Sequence, residues 1–304
     1  MDVLDEPAVQ QRLHYQDLIP VIAQALAALS SGGGGGVVQP VRAVLPVAPH
    51  RGFFGVMPAY AAGGALGAKL VTFYPQNVGI HTHHAVIVLF KPETGEPLAL
   101  MDGRLITEMR TAAASAVATQ LLARADASVL AILGSGVQAK SHLAALRHVR
   151  SFKEVRVWSP RNAPAFAQRH GVKAVATAAD AVRGADVVVV AASATTAILH
   201  GRWLSPGTHV NAIGATRPDW RELDDDLVTT ARIFVDSREA ALRESGDVIA
   251  SRRGGGSEVT EIGAVVSGAD PGRRTPSEIT LFKSVGVAVE DVAAAALVLQ
   301  QPAR

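Results

Sequence analysis

The sequence predicts an α/β protein in which a doubly wound parallel sheet domain is joined to a smaller α+β domain. After Asp126, short apolar runs alternate with glycine turns and helical patterns, the rhythm of βαβ units. One of those runs, residues 187–190, is entirely valine, as expected of a parallel strand covered on both faces. Before Asp126 the chain is instead broken by Gly and Pro into β-rich pieces, which suits a mixed or antiparallel sheet.

The 304 residues are enough for two domains. Residues 1–16 mix acids, Gln, Arg and His, unlike the basic start and apolar core of a secretory leader. Residues 19–29 read as a helix ended by Ser30, Ser31 and the glycine run 32–36. No Lys-Ser/Thr pair or helix follows those glycines, so they read as a loop and not as a phosphate cradle. Strands are expected at 41–47, 53–57, 68–74 and 85–90, then a turn at 92–97, a strand at 98–101 and an Ala-rich helix at 110–122. The second half predicts strands at 129–133, 155–158, 187–191, 208–213 and 233–235, with a helix at 139–148 after the first of them. A surface loop at 251–257 and a closing helix at 285–299 complete the chain.

Composition narrows the function. Hydrophobic residues make up 48% and charged residues 18%, the balance of a compact globular chain. Lys plus Arg exceeds Asp plus Glu by only 29 − 27 = 2, with no dense basic stripe, so no nucleic-acid partner is expected. Cysteine is absent, which removes disulfides, thiolate nucleophiles and cysteine-held metals, and permits cytoplasmic residence. No apolar run approaches about 18 residues, so no membrane span is expected.

Directly after the strand at 129–133 comes Gly134-Ser135-Gly136-Val137-Gln138-Ala139. This is GxGxxA between a strand and a helix, the fingerprint of a Rossmann dinucleotide-binding domain: Gly134 for the tight turn, Gly136 for close approach to a pyrophosphate, Ala139 for helix-to-strand packing. The end of the next strand decides the cofactor. It reads Trp158-Ser159-Pro160-Arg161-Asn162, with no carboxylate for a ribose 2′-hydroxyl. Ser159 and Arg161 can instead meet a 2′-phosphate, which predicts NADPH, with NADH weaker.

Arg42, Lys69 and Arg110 stand in apolar or small surroundings, and such cations, if they converged, would make a pocket for a carboxylate. These residues belong to longer motifs: Gln39-Pro40-Val41-Arg42, the run 55–60, the run 69–74, Met101-Asp102-Gly103 and Arg110-Thr111-Ala112-Ala113. With the glycine turn, the stretches 211–215 and 217–225, Val235-Asp236-Ser237, the run 244–248, Phe282-Lys283-Ser284 and Val289-Glu290-Asp291, the sequence resembles the ornithine cyclodeaminase/mu-crystallin family over nearly its whole length.

The resemblance implies a substrate-binding and dimerisation domain from residues 1–118 and 284–304, a Rossmann domain at 119–283, and a homodimer formed through the substrate domains. It implies an NADPH-dependent oxidoreductase acting on CH–NH bonds, a ketimine reductase for cyclic imine carboxylates of the piperideine-2-carboxylate or pyrroline-2-carboxylate kind. NADPH-regulated binding of thyroid hormone is the implied alternative, and a related amino-acid dehydrogenase or cyclodeaminase another. Lys69 and Arg110 would be catalytic, and Arg42, Met57, His83 and Thr216 would join them at the substrate. Gly134, Ser135, Gly136, Val137, Gln138, Ser159, Arg161, Ser193, Ala194, Ile213 and Gly214 would hold the cofactor. Family members that deaminate ornithine or make alanine carry Asp where this chain has Thr216, and a neutral hydroxyl supplies no charge to hold an ammonium group, so ornithine chemistry is not expected. His81 and His83 alternate on one strand face but no third ligand is evident, and Asp224-Asp225-Asp226 reads as a helix-starting turn, so no metal is expected.

Overall fold

The computed structural model describes residues 1–32, 36–253 and 258–303. Residues 33–35 of the expected glycine loop and 254–257 of the expected surface loop lie outside the described residues. In chain order the elements are β1 (Asp2–Leu4), α1 (Glu6–Gln10), α2 (Tyr15–Ser30), β2 (Val37–Val38), β3 (Ala43–Val47), β4 (Gly52–Ala61), β5 (Leu66–Phe73), β6 (His83–Phe90), β7 (Pro97–Asp102) and α3 (Arg104–Leu122). They continue with β8 (Val129–Leu133), α4 (Val137–Leu146), β9 (Glu154–Trp158), α5 (Ala163–His170), β10 (Lys173–Ala174), α6 (Ala178–Val182), β11 (Val187–Val190) and β12 (His209–Ala212). The rest are α7 (Asp225–Thr230), β13 (Arg232–Val235), α8 (Arg238–Glu244), α9 (Gly246–Arg253), β14 (Thr260–Glu261), α10 (Ile262–Val266), β15 (Thr280–Lys283) and α11 (Ala288–Gln300). The chain divides into two compact units, Met1–Arg110 with Gly286–Arg304, and Thr111–Val285.

The first unit is a mixed sheet in the order β1-β7-β6-β5-β4-β2, with β3 also on β4. All its pairings are antiparallel except the edge strand β1, which lies parallel to β7. Side chains alternate along each strand: Met57 and Ala59, Ala85, Ile87 and Leu89, Ala99 and Met101 are buried on one face. Helix α11 packs on β4, β5 and β6, and also meets α2. Leu18, Ile22, Ala25 and Leu26 give α2 the apolar stripe it buries, and because that stripe begins before Pro20 the helix starts at Tyr15 and not at 19. The opposite sheet face carries Leu45, Val56, Leu70 and Val86 in adjoining register rows, and Leu45 is 62% exposed.

The second unit is a parallel sheet in the order β10-β9-β8-β11-β12-β15-β13-β14, reversing direction of growth between β8 and β11. Val188, Val190, Leu133, Val210, Ala212, Ile233, Val235 and Leu281 fill one core. The sequence reading did not include β15, which lies between β12 and β13. The strand is only four residues long and ends in Lys, yet all four are buried. Helix α3 begins at Arg104, earlier than the expected 110, because Asp102 Oδ1 accepts from the Arg104 N–H at 2.8 Å and starts the helix. The closing helix begins later than 285, at Ala288, because Gly286 sits at φ 78. Asp224 caps α7 through the Leu227 N–H at 3.0 Å, so the acidic triplet starts a helix.

Candidate active site

Within the first unit, Lys69 lies in the middle of a register row running Met57, Lys69, Ile87, Met101 across four strands. Its three row partners are apolar and buried, and Lys69 itself is only 2% exposed. An ammonium in such a place needs a partner. Helix α11 provides it: Asp291 Oδ2 stands 2.6 Å from Lys69 Nζ. The other oxygen of Asp291 accepts from Arg110 Nε at 2.9 Å, and Glu290 Oε2 takes Arg110 Nη1 at 2.6 Å. Both acids sit in the first turn of α11, where the helix dipole favours negative charge.

Arg42 joins the same cluster, donating to the Gly286 carbonyl at 2.5 Å. Gly286 itself presses on Arg110, since a Cβ there would lie 2.6 Å from Nη1. Gln39 Oε1 accepts from the Val289 N–H at 2.9 Å and fixes the start of α11. Arg42, Lys69 and Arg110 therefore do converge, around two carboxylates that the sequence reading had not paired with them. Burial pushes the Lys69 amine down to about 8; Asp291 opposes the shift, and Arg110 and Arg42 add to it. His83 shares the sheet face of Lys69 through the rows Val71–Ala85 and Phe73–His83. Its ring stacks on Phe73 at 4.3 Å, and desolvation, then the charges of Lys69 and His84, push its pKa down.

In the second unit a single register row marks the carboxyl ends of the strands: Trp158, Leu133, Val190, Ala212, Lys283. The expected cofactor residues lie just beyond it, with Ser159 after β9, Gly134 to Gln138 after β8, Ser193 and Ala194 after β11, and Ile213 and Gly214 after β12. Gly134 is at φ 135, and a Cβ there would lie 2.2 Å from the Ala191 carbonyl oxygen, so no other residue fits. Gly136 has open space where a Cβ would stand, and as N-cap of the ten-residue α4 it leaves the first helix N–H groups with no side-chain cap. That is the cradle a pyrophosphate needs, so the residues fit a dinucleotide. Ser159 Oγ accepts from Ser135 Oγ at 2.9 Å and from the Asn162 N–H at 3.1 Å, tying the turn after β9 to the glycine turn. Arg161 is exposed at that turn, and Thr216 is half-buried beyond β12.

A buried ionic group beside Gly214 escaped the sequence reading. Lys283, Glu222 and Asp247 are all fully buried, with Lys283 Nζ 2.7 Å from Glu222 Oε1. Their motifs were visible in the sequence, but nothing in a motif says which distant residues face each other. Among the described residues no group of three or more His, Asp or Glu is arranged to hold a metal ion, and no helix is long and apolar enough to cross a membrane.

A doubly wound sheet with a GxGxxA turn, carried with a second unit that buries a Lys–Arg–carboxylate cluster, defines a class of two-unit, dinucleotide-type α/β proteins. The chain belongs to the ornithine cyclodeaminase/mu-crystallin family, whose profile matches residues 1–303. It is 51% identical over 303 residues to ketimine reductase mu-crystallin of Mus musculus, covering 97% of this chain and 95% of that protein. Among solved structures it resembles Δ1-pyrroline-2-carboxylate reductase of Thermococcus litoralis in complex with NADH and L-proline, with TM-score 0.92, 37% identity, and 99% and 97% of the two chains covered. It also resembles an archaeal alanine dehydrogenase dimer with bound NAD, with TM-score 0.91, 33% identity, and 99% and 95% covered.

Proposed function

We propose that this protein is a nicotinamide-dependent reductase of cyclic ketimines bearing a carboxylate, of the piperideine-2-carboxylate or pyrroline-2-carboxylate type, with NADPH preferred over NADH. The observation that carries the reading is Lys69, a buried ammonium with its pKa lowered to about 8 and Asp291 2.6 Å away, beside Arg110. When bound, the reduced nicotinamide supplies the hydride that goes to the imine carbon. Lys69 holds at Nζ the proton that the imine nitrogen takes, and Asp291 favours the charged amine against burial first and the two arginines second. The product is a cyclic amino acid. Arg110 and Arg42 serve the substrate carboxylate, which a planar guanidinium can bind through two parallel N–H donors. Met57 supplies an apolar wall beside Lys69, and His83, stacked on Phe73 at the exposed start of β6, a polar group.

Thr216 sets the reaction apart from ornithine chemistry, because a hydroxyl offers an ammonium group no counter-charge. The names of the relatives above support imine reduction. NADPH is supported by the turn after β9, where Ser159 and Arg161 stand and no carboxylate does. A homodimer through the first unit is supported by its apolar outer sheet face. The test is the oxidation of NADPH by purified protein offered cyclic imine carboxylates, α-keto acids with ammonia, and ornithine. Consumption with the cyclic imines alone is expected. No turnover with any of them, together with saturable thyroid-hormone binding, would replace this reading with that of a hormone-binding protein.

A further inference from the structure

We propose that the buried Lys283–Glu222 pair is a positioning device that holds the segment 213–216 in the shape required to receive the nicotinamide half of the cofactor; this rests on the cofactor reading given above.

The pair grips one peptide segment from both sides. Glu222 Oε2 accepts from the Gly214 N–H at 3.1 Å, while Lys283 Nζ donates to the Gly214 carbonyl and, at 3.4 Å, to that of Ala212. The residue directly after these anchors is held in an unfavourable backbone conformation. Ala215 sits at φ 48, a left-handed conformation that is unfavourable for a non-glycine residue and persists only where its surroundings enforce it. Gly214 is packed so closely that a Cβ would stand 2.4 Å from Glu222 Oε2 and 2.6 Å from the Ala192 carbonyl oxygen. Asp247 steadies the Glu222 strap, its Oδ1 accepting from the N–H groups of Glu222 and Leu223 at 3.2 Å each and from Arg221 Nε at 3.0 Å.

Such a cluster is a poor way to gain stability. Fully buried charges lose their hydration, and apolar residues of similar volume often serve the fold as well or better. Lys283 stands in the register row next to Ala212, at the carboxyl ends of the strands, so what it grips is the loop after β12. The glycine turn after β8 and the Ser159 turn after β9 lie on the other side of the reversal in strand order. A defect in the clamp should therefore reach the nicotinamide half of the cofactor and spare the adenosine and phosphate half.

The full-length double variant Lys283→Met/Glu222→Gln removes both charges at nearly constant volume. Its affinity for NADPH and for 2′-phospho-ADP-ribose, which lacks the nicotinamide, is measured by titration, with the melting temperature and kcat for imine reduction alongside. The proposal expects the fragment to bind within about twofold of wild type, NADPH to bind about tenfold more weakly, and kcat to fall more than KM rises. The single variant Glu222→Gln repeats the measurement if the double variant does not fold. Unchanged NADPH affinity relative to the fragment, or failure of both variants to fold, overturns the proposal and makes the pair a strut of the fold. Failure of the wild-type protein to bind NADPH at all is a different result, which refutes the cofactor reading itself.

Discussion

Lys69 gains its acidity from where β5 places it, between the side chains of Met57 and Ile87 on a face that α11 covers. With its pKa near 8, the amine is charged below that pH and neutral above it. For imine reduction the proton must be present, so kcat/KM is expected to hold level at lower pH and fall roughly tenfold per pH unit above about 8 in a pH–rate profile. Lys69→Met should cost about 10²–10⁴-fold in kcat while leaving NADPH affinity in place. At Arg161, replacement by Ala should shrink the ratio of NADH to NADPH dissociation constants about tenfold, a loss confined to the 2′-phosphate contact. Arg42, Lys69 and Arg110 were legible in the sequence as cations out of keeping with their neighbours. Their counterions were not, because the partners Glu290 and Asp291 lie at the far end of the chain and only the packing of α11 brings them back.

At the scale of elements, local chemistry explains what could be read and what could not. The GxGxxA turn was readable because its geometry is a property of the backbone alone: Gly134 adopts φ 135 against the Ala191 carbonyl. Gly134→Ala should therefore cost at least about 2 kcal/mol of stability, seen as a lower denaturation midpoint, and abolish cofactor binding. The valine run of β11 showed its burial as an unbroken apolar stretch, and the strands β4 to β7 showed theirs in their alternation. The strand β15 did not, since it is too short for a period and ends in a lysine that only its tertiary neighbours make acceptable inside. The edge strand β1 was hidden for a similar reason, as its three residues have structure only through pairing with β7.

At the scale of the molecule, the first unit is assembled from both ends of the chain, with α11 returning to cover the sheet and to supply both acids of the cation cluster. Its outer sheet face leaves Leu45 and Val86 exposed beside Val56 and Leu70. Self-association through that face predicts two sedimentation results: a dimer for the wild type, and a folded monomer for Leu45→Lys with Val86→Lys. The central claim is that the buried Lys69–Arg110 cluster turns over a cyclic imine through its carboxylate. The measurement that tests it most directly is NADPH oxidation with piperideine-2-carboxylate set against the same ring without the carboxylate. Turnover of the acid with at least about a hundredfold loss for the ring alone is predicted. Equal rates with the two rings, or no oxidation with either, would contradict it.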